Sequence, residues 1–280
     1  MAKQPLLAVE DLEVIIKRKD KVIPIVRQIS FQIDKGEIFG LVGESGCGKT
    51  MTCLSILNLL PTGIQKIGGR IQLAGKNLEG LSTAEWRKLR GDRIALIMQN
   101  PMSAFDAIRT IGDHFIETLL AHGKTDTKAA RKISLEYLER VGLPDAGLLL
   151  HQYPFELSGG MLQRVIIAIA LAQKPDLIIA DEPTTALDAT SQVQILDLLA
   201  EVRREFGTSI LLISHDLGVI ARLADSVAVM YKGQFVEQDS VYQLFFNPCH
   251  PYTQSLMEAR RSIGLLRNRR LSNGSSTTAS

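Results

Sequence analysis

Three cysteines, one tryptophan and an aromatic content of 5% in 280 residues put several classes of protein out of reach. Cys47, Cys53 and Cys249 show neither C-x-x-C nor zinc-like spacing. A disulfide scaffold and a zinc module are therefore excluded, and the thiols are expected to be reduced, as in a cytosolic protein. Charge of one sign is also lacking: 32 Lys and Arg face 30 Asp and Glu, a formal balance of +2. That is too little to argue for a nucleic-acid partner, and none is expected. No apolar run reaches 18 uncharged residues; the nearest, Val165 to Ala180, is broken by Gln173-Lys174-Pro175-Asp176. The chain is not expected to cross a membrane by itself. Met1 to Glu10 lacks the basic stretch and apolar run of a signal peptide, and no internal repeat is visible.

What is present points to a large α/β core. Apolar residues make up 45% and charged residues 22%, ordinary proportions for a globular domain of one core or two intimate subdomains. The segment Gly43-Glu44-Ser45-Gly46-Cys47-Gly48-Lys49-Thr50 matches G-x-x-x-x-G-K-[ST], the loop that cradles nucleotide phosphates. Its setting suits that role. Ile38 to Val42 before it reads as a buried strand, and Met51 to Leu60 after it reads as a helix. Glycines let backbone N–H groups approach phosphate closely, and a helix N-terminus adds its positive end. Lys49 is expected to reach the β- and γ-phosphates and the Thr50 hydroxyl to ligate Mg²⁺. Cys47 lies inside the loop, where Lys49 and the helix dipole would lower its pKa; the plainer reading is a small residue tolerated there.

Elsewhere the pattern alternates. Residues 6 to 36 read as strands around a charged turn at Lys17 to Lys21, and Gly68 to Gly75 as a hairpin element. A strand at Arg93 to Met98 leads into Gln99-Asn100-Pro101, where Pro ends it. Helical periodicity in Ile111 to His122 and Lys128 to Val141 marks a mostly helical insertion between about residues 105 and 165, with Gly142 and Pro144 closing the second helix. Apolar runs return at Leu177 to Ala180, Ile210 to Ile213 and Val227 to Met230, with an amphipathic helix at Thr190 to Phe206. Strand and helix in alternation predict a parallel sheet with its ligand at the strands' carboxyl ends. The tail Ser272 to Ser280, built of Ser, Thr, Asn, Gly and Ala, is expected to be disordered.

Strand ends carry the chemistry. Asp181 closes one apolar run and suits Mg²⁺, which prefers hard oxygen ligands and keeps several waters. Glu182 beside it would face the γ-phosphate and act as general base on the attacking water. His215, at the end of the next strand, suits a γ-phosphate sensor that holds water and Glu182 in place. Gln99 is placed to coordinate Mg²⁺ or water and to report nucleotide state to the helical insertion. Leu157-Ser158-Gly159-Gly160-Met161, followed by Gln163 and Arg164, makes a second anion-binding corner before a helix. One chain has little use for two such corners around one triphosphate. Two chains packed head to tail would use both.

In this order, Gly43 to Thr50, Gln99, Leu157 to Met161, Leu177 to Glu182, Ala186-Leu187-Asp188 and His215 resemble the ATP-binding-cassette (ABC) ATPases over roughly residues 6 to 258. The resemblance implies Walker A, Q-loop, signature, Walker B, D-loop and switch-histidine roles for those positions. It also implies a P-loop NTPase fold of α/β class: a RecA-like core, an antiparallel β subdomain and a helical subdomain at about 102–165. A polar, disordered tail at 259–280 would follow the 1–258 domain. Two positions depart from the family pattern. Met161 stands where glutamine is usual, which should be tolerated because Ser158, Gly159 and Gly160 make the phosphate contacts. The adenine-stacking aromatic is missing, its best-aligned position being Ile16, so weaker stacking and looser base selectivity are expected.

Within that family the chain is similar to the bacterial peptide/nickel importer ATPases. Tyr153 to Glu156, Gly160 to Arg164, Ala180 to Thr185 and Asn247 to Thr253 carry this likeness. Ile97 to Pro101 with Ser103-Ala104-Phe105 looks more like its nickel members, and no cysteine follows Cys249 as it does in many peptide members. Nickel or a metal chelate is therefore the first expectation for cargo, and di- or oligopeptide the alternative. Implied partners are a second ABC ATPase subunit (a distinct chain, or a second copy), two integral-membrane permeases and, indirectly, an extracytoplasmic binding protein. The implied location is the cytoplasmic face of the cell membrane, with ATP and Mg²⁺ bound. The competing class is a soluble cassette protein of DNA repair or translation, but neither a long coiled-coil insertion nor a second cassette is present. A GTPase lacks its N-K-x-D motif here.

Overall fold

The computed structural model describes residues 4–18, 21–123, 125–185 and 187–258. Two long strands open it, β1 (Leu7–Arg18) and β2 (Lys21–Ile33), antiparallel and broken in register at Val9/Leu12 and Leu12/Val14. The tip of the turn between them lies outside the described residues. The chain then enters the five fully buried residues of β3 (Ile38–Val42), passes the phosphate loop, and forms α1 (Lys49–Ile56). It returns to the first sheet as β4 (Ile64–Leu73) and β5 (Lys76–Asn77), giving the order β2-β1-β4-β5. Gly69 has a reason to be glycine. At φ +88° a Cβ would lie 2.5 Å from the Glu10 carbonyl oxygen, against the bulge in β1.

Helix α2 (Thr83–Asp92) starts on a Ser82–Glu85 capping box, kinks at Arg90 and Gly91, and feeds β6 (Ile94–Ile97). The insertion follows as α3 (Ile111–Ala121), α4 (Thr127–Arg140), a short α5 (Ala146–Leu149) and α6 (Gly159–Ala172). Thr110 and Asp113 form a capping box on α3, and Asp126 caps α4. The last part alternates: β7 (Leu177–Asp181), α7 (Ala189–Phe206), β8 (Ser209–Ser214), α8 (Leu217–Leu223), β9 (Ser226–Tyr231), β10 (Gln234–Ser240), α9 (Val241–Phe246) and helical residues 251–258.

The second sheet has the order β10-β9-β3-β8-β7-β6, parallel except for β10. Its central strands are near-continuous apolar runs because both faces are covered. The two faces feed different cores. Ile38, Val42, Ile178, Ala180, Ile210 and Leu212 pack with the helical insertion and α7. Phe39, Leu41, Ile179, Leu211, Ile213 and Met230 pack with α1 and the antiparallel sheet. The period-two alternation of each strand thus welds three lobes into one body. It leaves the carboxyl ends of β3, β7 and β8 side by side.

Several boundaries differ from the sequence expectation. The helix after the phosphate loop spans Lys49–Ile56 and stops short of Leu60. Asn58 turns left-handed at φ 51°, and Arg90 donates from Nε to the Leu57 carbonyl and from Nη2 to the Asn58 carbonyl, both at 2.8 Å. That is a cap supplied from 32 residues away. The hairpin element begins earlier, at Ile64, and its partner β5 is only two residues long. Helix α2, helix α8, strand β10 and the helices after it carry no strong periodic signal and were not expected. Ala186 and the tail 259–280 lie outside the described residues. No helix among the described residues is long and apolar enough to cross a membrane.

Candidate functional site: a phosphate pocket at the strand ends

The loop after β3 is held open by glycine. Gly43, at φ +155°, would place a Cβ 2.2 Å from the Met230 carbonyl oxygen, and Gly48, at φ +115°, one 2.9 Å from that of Ile25. No other residue fits either position without moving a neighbouring strand. Lys49 is buried, and its Nζ donates to the carbonyls of Gly43 at 2.7 Å and Glu44 at 2.9 Å. The ammonium is therefore clamped across the loop that a phosphate would enter. Cys47 follows the plainer of its two readings: burial raises its thiol pKa, and Lys49, with Nζ 3.8 Å from Sγ, lowers it by less. A buried thiol in this loop is inert packing rather than a reactive thiolate.

Opposite the loop, β7 and β8 deliver the acidic end. Three donors meet on one oxygen, Oε2 of Glu182: Thr185 Oγ1 at 2.8 Å, His215 Nδ1 at 2.9 Å and Gln99 Nε2 at 3.4 Å. Glu182 sits at φ 50°, an uncommon conformation for a residue with a side chain, held by its N–H on the Ile213 carbonyl at 3.0 Å. Its side chain is 15% exposed and that of His215 57%, so the carboxylate is sheltered and its histidine partner reachable. Asp181 is buried beside it, and its Oδ1 has no hydrogen-bond partner. Burial holds the Asp181 carboxyl above the usual range and Glu182 adds to that, while the Thr50 hydroxyl and Lys49 pull the other way.

A cavity of about 600 Å³ connects these groups. Gly43 to Gly46, Gly48 to Thr50, Gln99, Glu182 and His215 line it, so most of the expected residues meet there. Cys47 and Asp181 lie behind the wall. Thr185, Met51, Ile25 and Leu256 also line it and were not foreseen. Thr185 was readable from its place three residues after Glu182; Ile25 and Leu256 give no local signal. Ile16 does not line it, being paired with Ile23 and Ile64. Ser158, Gly159 and Gly160 do not line it either. Ser158 caps α6, its Oγ accepting from the Met161 N–H at 3.3 Å, and Gly160 packs where a Cβ would touch Ser191 Oγ at 2.8 Å.

The residues fit Mg²⁺. An orphaned carboxylate oxygen on Asp181, next to the Thr50 hydroxyl, is the hard and sparse donor set a magnesium ion takes when phosphates and water complete its shell. No cluster of three His, Cys, Asp or Glu side chains suited to a metal occurs among the described residues, so a fully protein-ligated metal centre is absent from them.

Comparison with known proteins gives this geometry its family. The model described as "ABC transporter" matches residues 26–185. Over 255 residues the chain is 48% identical to the dipeptide transport ATP-binding protein DppD of Bacillus subtilis, covering 91% of this chain and 76% of that protein. The chain belongs to the ABC transporter family. Another ABC relative, the oligopeptide transport ATP-binding protein AmiE of Streptococcus pneumoniae, is 43% identical over 258 residues, 92% of this chain and 73% of that one. Among solved structures, the dimeric post-hydrolysis state of the ATP-binding cassette MJ0796 bound to ADP and Pi superposes with a TM-score of 0.75 at 25% identity, over 84% of this chain and 98% of that one. The expected fold, an α/β ABC ATPase with antiparallel β and helical subdomains, is thereby established, and with it the activity: the chain is an ATP-hydrolysing transport subunit.

Proposed function

We propose that this ABC ATPase energises the import of di- or oligopeptides, and that the pocket between the phosphate loop and Glu182 is where it hydrolyses ATP. The convergence of Gln99, Thr185 and His215 on Glu182 Oε2 supports the catalytic assignment. A carboxylate so oriented takes a proton from the water attacking the γ-phosphorus, and His215 keeps base and water in line. Lys49 and the glycine loop hold the β- and γ-phosphates. Thr50 and Asp181, with Gln99 at the pocket's edge, would hold Mg²⁺, whose chemistry there is neutralisation of charge on the phosphates. Ser158, Gly159 and Gly160, remote from this pocket, serve the nucleotide of a second ATPase chain packed head to tail.

The cargo reading rests on the relatives. DppD and AmiE, at 48% and 43% identity over more than nine-tenths of the chain, bear dipeptide and oligopeptide names, as does the oligopeptide transport ATP-binding protein AppD of Bacillus subtilis at 47%. The nickel expectation drawn from Ile97 to Phe105 finds no counterpart in those names, and peptide takes first place. The working unit in this reading adds two permeases and a binding protein outside the membrane, with this chain on the cytoplasmic face. Uptake of a labelled dipeptide and of labelled nickel, in native cells carrying Glu182→Gln, tests it. Dipeptide uptake should be lost and nickel uptake spared. The reverse result restores the metal reading, and survival of both uptakes overturns the importer assignment for either cargo.

A further inference from the structure

The phosphate machinery leaves the nucleoside half of ATP unaccounted for. A base offers two flat apolar faces, and among the described residues no Phe, Tyr or Trp lines the pocket to stack on one; its single ring, His215, is hydrogen-bonded to Glu182. The apolar lining consists of three aliphatic side chains: Met51 on α1, Ile25 on β2, and Leu256 on the helical residues 251–258. The last comes from the far end of the chain, and the structure shows how it is held there. The Glu237 carboxylate accepts the N–H groups of Cys249 at 2.8 Å and His250 at 3.0 Å, pinning the entry to that helix onto β10. One turn before Leu256, Tyr252 Oη accepts the N–H of Glu44, inside the phosphate loop, at 3.2 Å. The Tyr252 ring lies 4.2 Å from that of Tyr231 at the end of β9. Tyr252 and Leu256, four apart on one helix, face the same way.

We infer that residues 248–257 form a latch completing the nucleotide pocket, with Leu256 as the apolar contact for the base or ribose, a role that falls to it because the hairpin's one aromatic, Phe31, is buried in the core and supplies no ring to the pocket. Tyr252 is a positioning residue: it ties Leu256 to the loop that binds the phosphates. Glu237 anchors the latch. This rests on the reading of Gly43 to Thr50 as the phosphate site. A half-exposed leucine closing on an aliphatic partner contributes weakly and without base specificity, so the pocket should accept GTP or CTP nearly as well as ATP.

The test is equilibrium binding of ATP and of inorganic tripolyphosphate to the full chain, each with Mg²⁺, for wild type, Leu256→Ala, Leu256→Phe, Tyr252→Phe and Lys49→Ala. Leu256→Ala should weaken ATP roughly threefold to tenfold, the scale of a partly buried leucine side chain, and leave tripolyphosphate unchanged. Leu256→Phe should tighten ATP by restoring a ring. Tyr252→Phe, which keeps the ring but removes the acceptor, should weaken both ligands and raise KM more than it lowers kcat. Lys49→Ala should abolish binding of both. Unchanged ATP affinity in both Leu256 variants, with Lys49→Ala still inactive, overturns the latch alone. Full binding by Lys49→Ala overturns the phosphate site beneath it. A loss of tripolyphosphate binding in Leu256→Ala also counts against the latch, because it signals a general disturbance of the fold.

Discussion

Asp181 shows most clearly how a single residue is arranged for a ligand at the expense of the fold. Its carboxyl is buried, one oxygen is unpaired, and burial raises its pKa. An acid whose folded pKa lies above its unfolded value binds protons more tightly when folded, so its effect on stability turns unfavourable as pH rises through that window. At neutral pH the ionised group therefore destabilises the ligand-free protein. Asp181→Asn should raise the melting temperature of the ligand-free chain at pH 7, and that gain should narrow as pH falls through the raised pKa of the wild-type carboxyl. In the same variant Mg²⁺-dependent ATP hydrolysis should fall by at least about a hundredfold. Differential scanning fluorimetry and a phosphate-release assay measure the two halves; a variant that melts lower at pH 7 contradicts the account. Lys49 makes the opposite case. Its ammonium is paired with the Gly43 and Glu44 carbonyls, so Lys49→Ala should leave melting within a few degrees of wild type while nucleotide affinity, read by fluorescent-ATP titration, collapses.

At the scale of elements, the C-terminal helical residues depend on Glu237. Burial pushes its carboxyl up, but the N–H groups of Cys249 and His250, with the nearby His250 ring, outweigh that and leave it below the usual carboxylate range. A lowered acid pKa stabilises the fold above the unfolded value and loses that contribution as pH falls through the folded one. Glu237→Gln should therefore melt below wild type at pH 7, and the difference should shrink as pH falls through the lowered pKa of the wild-type carboxyl. Faster amide exchange at Cys249 and His250 should accompany it at neutral pH. The same elements mark what was legible in the chain. Strand β3, the phosphate loop and the start of α1 were readable because four apolar residues around Gly40, three further glycines and a lysine adjoin in sequence. Asp181, Glu182 and His215 were readable because apolar runs end on them. The end of α1 was not, since its cap comes from Arg90. Leu256 was not, since nothing local distinguishes it; Tyr252 stood in the Asn247 to Thr253 element that carries the family likeness, but nothing in that element points to the phosphate loop, about two hundred residues away, that it contacts. The thiol of Cys47 fits the plainer of its two readings, a small residue tolerated in the loop; only the lowered pKa weighed beside it fails, because a motif gives neighbours along the chain but not burial.

For the whole molecule, the decisive fact is that its two anion-binding corners do not share a pocket. The phosphate loop faces Glu182, whereas Ser158 caps α6 and its glycines pack against Leu187 and Ser191 at the start of α7. A helix N-terminus with Ser and two Gly has unused N–H groups suited to phosphate. A second ATPase chain turned head to tail would bring such a corner over each bound triphosphate, and ATP would act as adhesive between the two. ATP can drive that closure only because it binds the closed pair more tightly than the open one. Glu182→Gln removes the base while keeping the side chain's size, so closure should outlast the turnover that normally ends it. The expected result is retained ATP affinity, turnover reduced by about a hundredfold or more, and an ATP-dependent doubling of mass by light scattering, either of this chain alone or with its distinct ATPase partner when the two are purified together. Adding Ser158→Arg to Glu182→Gln separates pairing from binding. The arginine fills the corner and leaves the phosphate loop untouched, so ATP should still bind at wild-type affinity while the mass stays single. A double variant that still pairs in ATP would mean that the corner at Ser158 does not meet the nucleotide, and the head-to-tail arrangement would have to be abandoned.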